Sequence, residues 1–184
     1  TVNQVATPTT TYASLLEKLD PKENDEAGYL SCTASDKNQC KDAAGKYYLI
    51  NSSLTPTAGT LQTAVDYFKG TLSGTTSPIM ARCQKNYVVY VTDGLPSISE
   101  TGTSGTADAL MPKVLEKLDA LQNNITKLFP NPKFPNNRSK DITYKFKTNT
   151  YVLGVGLSRE AKAKLDQMAV KGGTAVDGHA YYAD

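Results

Sequence analysis

The sequence predicts an α/β fold: an open, mostly parallel sheet with helices on both faces, preceded by an irregular N-terminal stretch. Two observations carry this. The short runs YVVYV (87–91) and TYVLGVGL (150–157) are rich in β-branched and aromatic residues and are bounded by turn signals, as suits strands buried on both faces of a parallel sheet. Between and around them lie segments of helical periodicity, and strands alternating with helices indicate a layered α/β arrangement.

In chain order, TVNQVATPTTT is polar and extended, with Pro8 against helix, and YASLLEKLD (12–20) reads as an amphipathic helix with Leu15, Leu16 and Leu19 on one face. Residues 20–46 carry charges, Gly28, Gly45 and two cysteines without a period, and read as an irregular surface insertion. KYYLINSS (46–53) forms either a short strand or a loop. Helical spacing returns over 57–68 with Leu61, Val65 and Phe68, and GTLSGTTSP ends it. After YVVYV come Asp93-Gly94 and a Ser/Thr/Gly-rich loop to about Thr106. The clearest helix is ADALMPKVLEKLDALQNNITKLF (107–129), with Leu110, Val114, Leu118, Leu121 and Ile125 in phase and Pro112 near its start. PNPKFPNNRSKD is loop. The strand at 150–157 is followed by a helix with Ser158 as N-cap and Gly172 near its C-terminus, and HAYYAD closes as a short strand.

The 184 residues suit one domain, divided into the insertion (1–47) and a core (48–184). A formal charge of +2 argues against a nucleic-acid or polybasic membrane partner, and no apolar run approaches the roughly 20 residues of a membrane span. Thr1 does not open a signal peptide. Cys32 and Cys40 lack a neighbouring histidine or C-x-x-C spacing, which disfavours zinc. They close a short disulfide loop or remain thiols, and Cys83 is then free or paired outside the chain.

Ligands of open α/β sheets gather at the carboxyl ends of the strands. Asp93 stands there, followed by Gly94, and the turn with Thr55 and Thr57 lies just before a helix. A carboxylate with hydroxyls, without His or Cys, is hard-oxygen chemistry suited to Mg²⁺, Mn²⁺ or Ca²⁺. The blander readings are an Asp-Gly turn and an ordinary helix cap at Thr55. His179 has no triad motif and reads as structural, and the acidic stretch DPKENDE lacks the order of a calcium loop.

The segments VYVTDG and LTPTAGTL resemble two of the three loops of the von Willebrand factor A (VWA) metal-ion-dependent adhesion site, and TYVLGVGL with the helix ending AVKGGTAV resembles the late strand and helix of that Rossmann-like fold. The resemblance covers roughly residues 48–184. It implies Asp93 and Thr55 as metal ligands, Thr57 as an accessory hydroxyl, and Gly94, Leu95, Pro96 and Ser97 as the adjoining ligand-binding loop. More narrowly, SPI…CQKNYVVYVTDGLPS, TPTAGTLQTAVDYFKG and LDQMAVKGGTAVDGHAYYAD are similar to the VWA region of PilC/PilY adhesins of type IV pilus tips. That implies a bacterial cell-surface adhesion module, not an enzyme. Its partners would be a receptor or extracellular-matrix ligand and the minor pilins, and it would support pilus biogenesis and twitching motility.

One feature of the family is missing. No D-x-S-x-S occurs in the sequence, and Asp36 and Asp141 lack both that pattern and a preceding apolar strand. The expectation is that the first strand, first helix and second strand lie upstream of Thr1 and a final helix beyond Asp184. Two alternatives remain: a pilus-tip scaffold that binds no metal, and a VWA subunit of a metal-chelatase complex.

Overall fold

The structure, a computed structural model, describes residues 54–183 together with Thr33. The chain divides into two units, Thr1–Ser53 and Leu54–Asp184, and the described elements all lie in the second. The expected helix at 12–20, the irregular insertion, KYYLINSS and the Cys32–Cys40 loop lie outside the described residues.

The elements are α1 (Thr57–Lys69), β1 (Asn86–Thr92), α2 (Ala107–Asn123), β2 (Ile125–Phe129), a 3-10 turn (Arg138–Lys140), β3 (Ile142–Phe146), β4 (Thr148–Val155), α3 (Arg159–Lys171) and β5 (Tyr181–Ala183). β1, β4 and β5 form a parallel sheet in the order β1-β4-β5, while β2 and β3 pair antiparallel in a separate two-stranded sheet. This is an α/β architecture with a parallel main sheet, compatible with a Rossmann-like fold. Among the described residues, no helix is long and apolar enough to cross a membrane.

The helices start where the residues allow. Ser158 caps α3 by accepting a hydrogen bond from Ala161 N, as its sequence position predicts, and Thr106 caps α2 through Ala109 N. α1 ends at Gly70, whose φ of 75° is a left-handed conformation that glycine enters without a Cβ penalty. The helices enclose a core that includes Leu61, Val65, Leu118, Leu121, Val152 and Leu165, all at most 2% exposed. Burying each such side chain stabilises the fold by about 1.5–3 kcal/mol.

Two expectations are corrected. The long helix stops at Asn123, and Ile125–Phe129 is strand β2 rather than a last helical turn. Asn123-Asn124 is a weak continuation for a helix, and β-branched Ile125 and Thr126 favour the extended chain. Ile125 is fully buried all the same, so its apolar phase fitted either conformation. The second correction concerns the sheet faces. The face bearing Val88, Tyr90, Thr150 and Val152 packs under the helices, but the opposite face exposes Tyr87 by 48%, Val89 by 64%, Val91 by 58% and Tyr181 by 41%. Strand side chains alternate between faces, so these residues share one surface, and among the described residues no helix covers it. The helical layer expected there is not found among them.

α3 meets the sheet at Gly172. Its carbonyl accepts hydrogen bonds from Thr150 N at 2.9 Å and from Gln122 Nε2 at 2.6 Å, joining β4, α2 and α3 at one point. A Cβ at this position would lie 2.6 Å from the Thr150 carbonyl oxygen, a backbone atom with little freedom to retreat. Gly172→Ala is therefore expected to lower unfolding free energy by about 1–3 kcal/mol in urea denaturation while leaving the far-UV dichroism native.

Candidate functional site

The carboxyl end of β1 and the amino end of α1 are clipped together. Ser97 N donates to the Thr55 carbonyl at 3.1 Å, and Thr55 N donates to Ser97 Oγ at 2.7 Å. Thr92 turns the strand end by donating its hydroxyl to Gly94 O at 2.9 Å and accepting from Gly94 N at 3.2 Å. Between these anchors Asp93 is exposed and Gly94 faces Thr55: a Cβ on Gly94 would sit 3.5 Å from Thr55 Oγ1, an ordinary contact. The approach of the two loops thus leaves room for a small side chain at Gly94.

Thr55 does not cap the helix. The N-cap is Pro56, without a side-chain bond, and Thr60 N reaches the Pro56 carbonyl at 2.9 Å. Thr57 is 1% exposed and its hydroxyl shares a 2.8 Å hydrogen bond with the Tyr90 hydroxyl, tying α1 to β1. That bond, invisible in sequence because the partners lie 33 residues apart, engages the hydroxyl expected as an accessory ligand. Pro96 is buried, and Gly94, Leu95 and Ser97 are half-buried.

The following loop is held rather than loose. Ser97 O accepts from Gly105 N, Ser99 N donates to Thr103 O at 2.8 Å, and Ile98 bridges Ser104. Glu100 pairs with Lys117 of α2 at 2.9 Å. Burial by itself would lower the Lys117 ammonium, but the hydrogen bond and charge of Glu100, helped by Glu116, outweigh it and raise it above its ordinary value.

For a hard cation, the described residues offer one carboxylate, Asp93, and the Thr55 hydroxyl beside Gly94. No group of three or more His, Cys, Asp or Glu converges among them. The donor type fits Mg²⁺, Mn²⁺ or Ca²⁺, and the number amounts to part of a six-oxygen shell.

The remaining titratable residues do other work. Cys83 is an exposed free thiol. His179 Nδ1 lies 3.0 Å from Asp166 Oδ2, while Asp166 Oδ1 accepts from Ala180 N at 2.8 Å and from the Tyr182 hydroxyl at 2.5 Å. These contacts fasten β5 to α3, consistent with a structural histidine. Burial would raise the Asp166 carboxyl, but the hydrogen bonds from Tyr182, Ala180 and His179 together hold it below the ordinary carboxylate range. Burial, then the Asp166 hydrogen bond and charge, push the Tyr182 hydroxyl well up.

Against known proteins, no family model matches the chain, and no curated protein or solved structure matches it.

Ser97→Ala leaves the half-buried Thr55 N–H without its acceptor and is expected to cost about 1 kcal/mol of stability, with faster hydrogen exchange at Thr55 than in the native protein. Asp166 has a depressed carboxyl in the folded state, so its contribution is complete above the ordinary carboxylate range and is lost as pH falls through the folded value. Asp166→Asn removes that titration. The stability gap between the two proteins in urea should narrow as pH is lowered from roughly 6 to roughly 3, and a constant gap would show that Asp166 does not carry it.

Proposed function

We propose that this chain is part of a VWA-like adhesion module of the PilC/PilY kind, located at the tip of type IV pili on a bacterial surface. In this reading it binds a receptor or extracellular-matrix ligand, contacts minor pilins, and supports pilus biogenesis and twitching motility. Asp93 and Thr55 would hold Mg²⁺, Mn²⁺ or Ca²⁺, with the remaining oxygens supplied from outside the described residues and by the ligand. A divalent ion held this way supplies charge to which a partner carboxylate can bind. The loop Gly94–Ser97 would line that contact.

The supporting observation is the Thr55–Ser97 clip. It brings the two loops that resemble the VWA site side by side at the carboxyl end of a parallel strand, where open α/β sheets take their ligands. The scaffold reading also has an observation in its favour: the Thr57 hydroxyl, expected as an accessory ligand, is buried and hydrogen-bonded to Tyr90.

Mn²⁺ titration followed by NMR separates the two. Adhesion chemistry requires paramagnetic broadening that begins at Asp93, Gly94 and Thr55 and is lost in Asp93→Ala, together with weaker attachment of piliated cells carrying that variant. Uniform broadening, with attachment and piliation unaltered by Asp93→Ala, would sink the metal site and leave the scaffold.

A further inference from the structure

The end of the sheet remote from Asp93 has the opposite electrostatics. Where β1 and β4 begin and β3 ends, a cleft of about 380 Å³ opens, lined by Arg82, Lys85, Asn86, Lys145 and Lys147 among others. Among the described residues, its lining includes four cations and no carboxylate. All four are exposed. The ion pairs of the described residues use Lys113, Lys117, Arg138, Lys164, Lys171 and His179, and none of them neutralises Lys85, Lys145 or Lys147. In a chain whose formal charge is only +2, this is a local concentration of like charge, which repels itself until an anion enters.

A second, independent feature points the same way. Asn86 is 4% exposed and lines the cleft. Its Oδ1 accepts a hydrogen bond from Gln84 Nε2 at 2.8 Å, which fixes the amide so that Nδ2 is left as a donor. That Nδ2 is buried and meets no acceptor. Buried donors are almost always satisfied, so an unmet one set among lysines calls for an acceptor from outside the protein. Arg82 is also held in place: its Nη2 donates to the Pro130 carbonyl and its guanidinium lies 5.5 Å from the Tyr144 ring centroid. Its remaining N–H donors suit a tetrahedral oxyanion.

We propose that this cleft is a binding site for a small oxyanion carrying two or more negative charges, of the phosphate or sulfate class. Lys85, Lys145, Lys147 and Arg82 neutralise it at the cleft surface, and Asn86 Nδ2, closed off from solvent in the free protein, donates to one of its oxygens once the covering side chains move aside. The volume suits a small ligand. The site uses none of the residues assigned to metal binding and stands whether or not that reading does.

The test uses the chain of 184 residues and two probes, inorganic pyrophosphate and a hexose bisphosphate, titrated by NMR. Saturable shifts of the Asn86 side-chain amide, weakening with added NaCl, are expected with at least one probe. Tighter binding of the first identifies free phosphate as the source, and of the second a phosphorylated sugar. The exposed pair Lys145→Glu with Lys147→Glu should weaken binding by about tenfold or more, while Lys133→Glu with Lys140→Glu, outside the cleft, should change it by less than about twofold. Thermal unfolding checks that each variant folds, and Lys85→Glu replaces the first pair if it does not. Absence of a saturable Asn86 shift with both probes, or equal weakening by the two charge-reversed pairs, overturns the proposal.

Discussion

The pairing of β1 with β4 is the constraint on which the rest of the structure depends. The two strands run parallel in a register from Asn86↔Thr148 to Thr92↔Gly154. Parallel neighbours cannot be joined by a tight turn, so the chain must travel back along the sheet before β4 begins. The stretch from Thr92 to Thr148 does this with α2 and the β2–β3 hairpin. α2 lies over β4 and beside both other helices, so Val114, Leu118 and Leu121 are fully buried against residues from every part of the unit. α3 then has to end against β4, and Gly172 permits that by omitting the one carbon that would strike the Thr150 carbonyl.

Parallel order also separates the chemistry of the two ends. Because β1, β4 and β5 all point the same way, their carboxyl ends form one rim and their amino ends another. The carboxyl rim carries Asp93 and the clipped loops of Thr55 and Ser97, an oxygen-rich surface. At the amino rim, Lys85, Lys147 and Asn86 stand with Arg82 and Lys145 and make a donor-rich one. Arg82 also belongs to the packing there, since Tyr144, over which it sits, stacks edge-on to Phe129 at 5.8 Å.

The outer face of the sheet has a third character. Tyr87, Tyr151 and Tyr181 form a row across β1, β4 and β5, with successive ring centroids 6.0 Å apart. Cross-strand aromatic neighbours of this kind support the register beneath them. Val89 and Val91 extend the apolar surface along β1, and among the described residues it remains open to solvent. The inner face reaches its density through small residues: a Cβ at Gly154 would come within 2.8 Å of Leu165.

What the sequence determined by itself was local and periodic. YVVYV and residues 150–155 of the second run are strands, 57–68 and 159–171 are helices, Ser158 is a cap, and Asp93 falls at a strand end beside a turn. Each follows from the preferences and spacing of adjacent residues. The end of α2 at Asn123 also follows local preference, since Asn123-Asn124 and β-branched Ile125 favour leaving the helix, although the apolar phase of Ile125 fitted either conformation. Three features were decided only by tertiary structure. The Thr57 hydroxyl is taken by Tyr90, and Asp166 is engaged by Tyr182, partners 33 and 16 residues away. The helices of the described residues occupy one face of the sheet although both faces are apolar. A repeat of apolar residues records that a face is fit for burial; which face is covered, and which polar atom finds which partner, depends on contacts between distant segments that no local pattern contains.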